Sequence, residues 1–189
     1  MAADLLINGN HSLFATLPAE RDMMVGGRAV HVRVTSEAGR LDLNEAALPT
    51  IERLLAGLGW DGASRAMFVE ALRARRSEGR RLASMDEVRL VAAGAGGGAG
   101  ACLERLLTVS SGRAEPEPTS VDPALARLIG LAPSAEVEAA PTPLAAGSAI
   151  RVDLTGAPGG SHTAVLRIGG LLDQPVLLSS WERQASCLQ

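Results

Sequence analysis

Apolar and polar residues alternate along Ala29-Val30-His31-Val32-Arg33-Val34, which places the three valines on one side of an extended chain and His31 and Arg33 on the other. That is the pattern of a half-buried strand. The segment Ser36 to Ala46, SEAGRLDLNEA, then turns through Gly39 towards a helix start. Asn44 is placed to cap it, its side-chain oxygen accepting from amides the first turn leaves free, and Glu45 sets negative charge near the positive end of the helix dipole. From Ala47 to Leu58 the residues Leu48, Ile51, Leu54, Leu55 and Leu58 recur at helical spacing, and Gly57 and Gly59 end the run. A second helix over Ala63 to Arg76 pairs with the first across Gly59-Trp60-Asp61-Gly62.

Ser84 followed by Glu87 is a capping box, with Val88, Leu90 and Val91 as the buried face of the next helix. Ala93 to Gly100 is nearly all Gly and Ala and reads as a loose loop, after which Ala101 to Leu107 resumes a helical period. Thr108-Val109-Ser110 reads as extended, and Asp122-Pro123 opens a helix that runs to Leu131. Strand patterns return over Ser148 to Leu154, Thr163 to Ile168 and Pro175 to Trp181, separated by Gly-rich turns, as an antiparallel meander. Leu5 to Gly27 reads as a helix end and a loop.

The order predicts an α+β fold, an antiparallel sheet carrying an inserted helical subdomain. Its parts are 1–44, an N-terminal segment with the first strand; 45–132, the helical insertion; 133–147, a linker; 148–183, the returning strands; and 184–189, a tail.

Composition narrows the function. At 189 residues and 47% hydrophobic the chain has material for a real core, and its net charge of -3 argues against general affinity for nucleic acid. All basic residues are Arg, so neither a Schiff-base lysine nor a phosphate-loop lysine is available. There is no Tyr, and Phe14, Phe68, Trp60 and Trp181 are the only aromatic rings, a poor supply for stacking on bases. Cys102 and Cys187 define no disulfide framework and are read as unpaired thiols. No run approaches the roughly 20 apolar residues that span a bilayer, so the chain is read as soluble.

SEAGRLDLNEA, LASMDEVRLV over Leu82 to Val91, Leu103-Glu-Arg-Leu-Leu-Thr-Val109 and the closing LLSSWER from Leu177 to Arg183 together resemble the general secretion pathway protein K family. These are the large minor pseudopilins of the type II secretion system. The resemblance implies a pilin-like sheet with a large helical insertion and a non-enzymatic subunit capping the tip of the periplasmic pseudopilus. It also implies I-type and J-type minor pseudopilins as partners. On this reading the chain is a soluble periplasmic portion that begins just after the family's N-terminal membrane helix, with Ala2 to Ile7 as that helix's tail. The full-length form would be anchored in the inner membrane.

Family members resemble D-E-x-G-K-[IL]-[DN]-[IL]-N-T-A at the sheet-to-helix junction, and Ser36 and Glu45 depart from it. Arg113 to Ser120 stands where a second such junction is usual. Arg73 to Arg81 replaces an acidic, tryptophan-containing segment, so no matching acidic motif supports the calcium that the family would imply, and no cofactor is expected.

An alternative reading is a helix-hairpin-helix DNA-binding module, with Arg65, Arg73, Arg75 and Arg76 on phosphate. The acidic balance, the interspersed Glu70 and Glu78 and the lack of a compact Gly-[IV]-Gly turn favour a solvated arginine face instead, and no nucleic acid is expected. The glycine run lacks the Lys-Ser or Lys-Thr of a nucleotide loop. Asp153, Ser161 and His162 have no nucleophile elbow around them, and His11, His31 and His162 have no metal-ligand spacing. Trp60 reads as a core residue. Trp181 ends a strand and is the candidate partner contact.

Overall fold

The computed structural model describes residues 16–97, 100–131, 142–143, 145–156, 160–171 and 174–183. They fall into two compact units, one running to Glu37 and again from Thr142, the other from Ala38 to Leu131. The sequence expectations for Ala2 to Ile7 and for the tail 184–189 lie outside the described residues, as does most of 133–147.

The first unit is built on a five-stranded antiparallel sheet in the order β2-β3-β7-β8-β9. Its strands are β2 (Ala19–Val25), β3 (Arg28–Ser36), β7 (Ala149–Thr155), β8 (His162–Leu171) and β9 (Gln174–Arg183). A short pair, β1 (Thr16–Leu17) with β6 (Thr142–Pro143), lies beside it in the sequence. The alternation read in Val30, Val32 and Val34 is real: these three are buried with Ile150, Val152, Ala164 and Leu166, one apolar row per strand. β2 corrects the loop expected before Gly27. It joins β3 through Gly26 and Gly27, both at positive φ (58° and 78°), the backbone a two-residue hairpin turn requires.

The second unit holds β4 (Leu41–Asp42), α1 (Leu48–Gly57), α2 (Gly62–Ser77), α3 (Met85–Gly94), α4 (Gly100–Leu106), β5 (Leu107–Thr108) and α5 (Pro123–Ile129). β4 and β5 pair in parallel, Leu41 with Leu107 and Asp42 with Thr108. One core joins the helices: Ile51, Leu54 and Leu55 from α1, Phe68 and Leu72 from α2, Val88 and Ala92 from α3, Leu103 from α4 and Leu125 from α5. Trp60 packs edge-on to Phe68, with ring centroids 5.6 Å apart, and is a core residue as expected. Its indole N–H has no partner among the described residues. Close approach selects three glycines here, one of them Gly97, where a Cβ would stand 2.0 Å from the Trp60 ring. A Cβ on Gly39 would stand 2.0 Å from the Ser120 carbonyl oxygen, and one on Gly57 would stand 2.4 Å from Leu128.

Two local expectations change. Asn44 does not cap α1, whose N-cap is Ala47 without a side-chain bond and which starts instead with Pro49 in its first turn. Asn44 spends its amide elsewhere: Nδ2 donates to the carbonyls of Leu82 and Val109, both at 3.0 Å, and Oδ1 accepts from the Leu82 N–H at 2.8 Å. Leu90 is 73% exposed rather than buried, because Met85, Val88 and Ala92 define the inner face of α3 and Leu90 falls opposite them. The serine half of the capping box holds, with Ser84 Oγ accepting from the Glu87 N–H at 3.3 Å, whereas Glu87 reaches one residue past the cap and accepts from the Ala83 N–H at 2.7 Å.

At the start of α2, Asp61 caps through its side chain, accepting from Ser64 N–H at 2.9 Å and Ser64 Oγ–H at 2.7 Å. The Ser64 hydroxyl, then the Ser64 amide, hold its carboxyl below the ordinary carboxylate value. A carboxyl with a lowered folded pKa contributes stability above its unfolded pKa of about 4 and loses it as pH falls through the folded value. Asp61→Asn keeps the acceptor and removes the titration. Urea midpoints measured from pH 6 down to pH 2.5 are therefore expected to converge between the wild type and Asp61→Asn at the acid end, and parallel curves would contradict the assignment.

Candidate partner interface

Among the described residues β9 is an edge strand, and it carries the largest exposed apolar side chains of the sheet unit apart from Met24. Leu177 is 47%, Leu178 61% and Trp181 50% exposed. Residues paired across antiparallel strands share a sheet face. Leu178 pairs with Leu166 and Trp181 with Ala164, so both lie on the face where Leu166 and Ala164 are buried. The register skips Ser179, since Val165 pairs with Ser180 and Leu166 with Leu178. This one-residue bulge is why Leu178 and Trp181, three positions apart, share a face. Leu177, paired with Arg167, lies on the other face.

Trp181 stacks on His162, with ring centroids 5.6 Å apart and planes 28° apart. His162 occupies the first position of β8, opposite Leu154 and Arg183. The stack fixes the indole by one face while half of its surface stays open, an arrangement suited to an aromatic anchor. Trp181 was legible in the sequence as a strand-end tryptophan. The sequence marks Leu177 and Leu178 as strand residues and as part of LLSSWER; the signal that singles them out for contact is that Val176-Leu177-Leu178 is apolar without alternation in a strand that pairs, among the described residues, with β8 alone.

The four arginines of the DNA reading do not form a common free surface. Arg76 donates through one nitrogen to the Leu43 and Ala46 carbonyls, each at 2.8 Å. Burial pushes its pKa down, with Glu45 and Asp42 acting in the opposite direction. Arg73 is paired with Glu70, and Arg75 lies 3.9 Å from Glu87. Arg65 has its Nε enclosed with no hydrogen-bond partner among the described residues. Three of the four are thus engaged within the helical unit.

The remaining candidate chemistry is also dispersed. Asp153 accepts from the Thr163 hydroxyl at 2.6 Å, on the sheet face opposite His162, so Asp153, Ser161 and His162 form no relay. His31 bonds Asp22 at 2.9 Å and stands 3.9 Å from Glu20. Among the described residues no group of three or more His, Cys, Asp or Glu is arranged to hold a metal ion, and no helix is long and apolar enough to cross a membrane. His11 and Cys187 lie outside the described residues.

No family model and no curated protein matches the sequence. Among solved structures, the chain is similar to one in the crystal structure of the GspK-GspI-GspJ complex from the type 2 secretion system of enterotoxigenic Escherichia coli. The match covers 89% of this chain and 84% of that one, at a TM-score of 0.57 and 10% sequence identity. A five-stranded antiparallel sheet interrupted after its second strand by a helical unit is therefore a GspK-like fold in this chain.

Proposed function

We propose that this chain is a minor pseudopilin of a type II protein secretion system, a non-enzymatic subunit that takes the K-type place at the tip of the periplasmic pseudopilus. The observation that carries the reading is the fold match, which spans both the sheet and the helical insertion. On this reading the bulk of the inserted helical unit would block further addition of subunits to the fibre. Its partners on this reading are the I-type and J-type minor pseudopilins, the companions named in the similar complex, with Trp181 at the contact. The dispersal of Asp153, Ser161 and His162 supports a role in assembly over one in catalysis. The location that goes with the role is the periplasmic side of the inner membrane.

The test is co-expression of the chain with the periplasmic portions of I-type and J-type pseudopilins from the same organism. A complex that survives size exclusion at physiological salt is expected. Separate elution of the folded proteins at micromolar concentration would count against the assignment.

A further inference from the structure

The two edges of the five-stranded sheet are built differently. β2 places Glu20, Arg21 and Asp22 in succession, with Glu20 paired to Arg33 at 3.1 Å, and such charge blunts an edge against pairing with another chain. β9 carries no charge from Val176 through Trp181 and presents apolar side chains on both faces, Leu178 and Trp181 on one and Leu177 on the other. An apolar edge strand without charge lacks the feature that keeps an edge from pairing, and it presents a ready template for another extended chain. Among the described residues β9 pairs with β8 alone.

We propose that the outer edge of β9, from Val176 to Trp181, accepts an extended, uncharged segment of a different polypeptide as a further strand of the sheet. This inference rests on the assembly role proposed above and specifies how the partner is held. Main-chain hydrogen bonds to the open edge supply the attachment, and apolar side chains on alternate positions of the incoming strand cover Leu178 and Trp181 on one face and Leu177 on the other. The matching stretch of the partner must lack charge, since a charged side chain set against this run would lose water without gaining a counter-charge. A second copy of this chain fits less well. Two-fold pairing of β9 with itself about Ser179 and Ser180 would bring the two bulges together at the centre, where the ladder is already interrupted.

Amide hydrogen exchange on the wild-type chain, alone and in its complex with the I-type and J-type partners, reads the proposal directly. Exchange at residues 176–181 is expected to slow at least tenfold in the complex while β2 is unchanged. The variant Leu177→Lys/Leu178→Lys is expected to weaken partner capture at least tenfold with unaltered circular dichroism, whereas Met24→Lys, at a still more exposed site on β2, leaves capture intact. Complex formation without added protection at 176–181 overturns the strand-addition inference and leaves the assembly role standing. Absence of any complex with the wild type defeats the assembly role and this inference with it. Self-association of the chain alone that is abolished by the double variant overturns the choice of a different polypeptide as occupant. Should the double variant not fold, the exchange measurement on the wild type decides alone.

Discussion

Replacing Asn44 with Asp is expected to destabilise the helical unit by about 2–4 kcal/mol, since two carbonyls lose their donors and each enclosed polar group left unpaired costs about 1–3 kcal/mol. Aspartate keeps the acceptor that meets the Leu82 N–H but loses the Nδ2 that serves the carbonyls of Leu82 and Val109. It also sets a negative charge beside those two oxygens. An N-cap would behave in the opposite way, because Asn and Asp are nearly equivalent there. The substitution therefore separates the two roles. Urea denaturation of the full chain at pH 7 measures it, and a variant as stable as the wild type would return Asn44 to the capping role that its sequence position suggests.

Glu37→Ala is expected to cost the sheet unit about 3–5 kcal/mol, the range for removing one member of a buried ion pair. Glu37 Oε1 accepts from Arg151 Nε at 2.9 Å, and the two side chains are 0% and 6% exposed. The loss comes mainly from taking the Glu37 carboxylate away from a desolvated guanidinium. Accordingly, Glu37→Leu/Arg151→Met, which removes both charges at similar volume, is expected to recover most of the stability. Denaturant unfolding monitored by circular dichroism checks both variants. A single variant within 1 kcal/mol of the wild type would contradict this account, as would a double variant less stable than either single.

What the sequence disclosed follows from which forces are local. Period and capping are local, so β3, α1, α2, α3 and the meander β7-β8-β9 could all be read from the spacing of their apolar residues and their turn glycines. β2 could not, because its AERDMMV run carries charge where an interior strand carries apolar residues, and its place is set by the hairpin with β3. Asn44 was visible as a polar residue at a helix entrance. Its true partners, 38 and 65 residues away, are fixed by tertiary structure. Leu90 has the same origin, since helical spacing gives a face but several faces compete when leucine and alanine are plentiful. At the interface, Trp181 could be singled out from its strand-end position, whereas the shared face of Leu178 and Trp181 depends on a bulge that no pattern in the chain announces.

The Glu37–Arg151 pair closes a stretch of 114 residues. Chain-closure entropy grows only with the logarithm of loop length, each doubling adding about 0.6 kcal/mol, but it must be met before β3 and β7 gain anything from pairing. The helical unit lies wholly within that stretch and ties its own first helix, α1, to its last, α5. Folding of that unit ahead of the sheet would therefore shorten the effective tether between β3 and β7 and lower the entropy left for their pairing to offset.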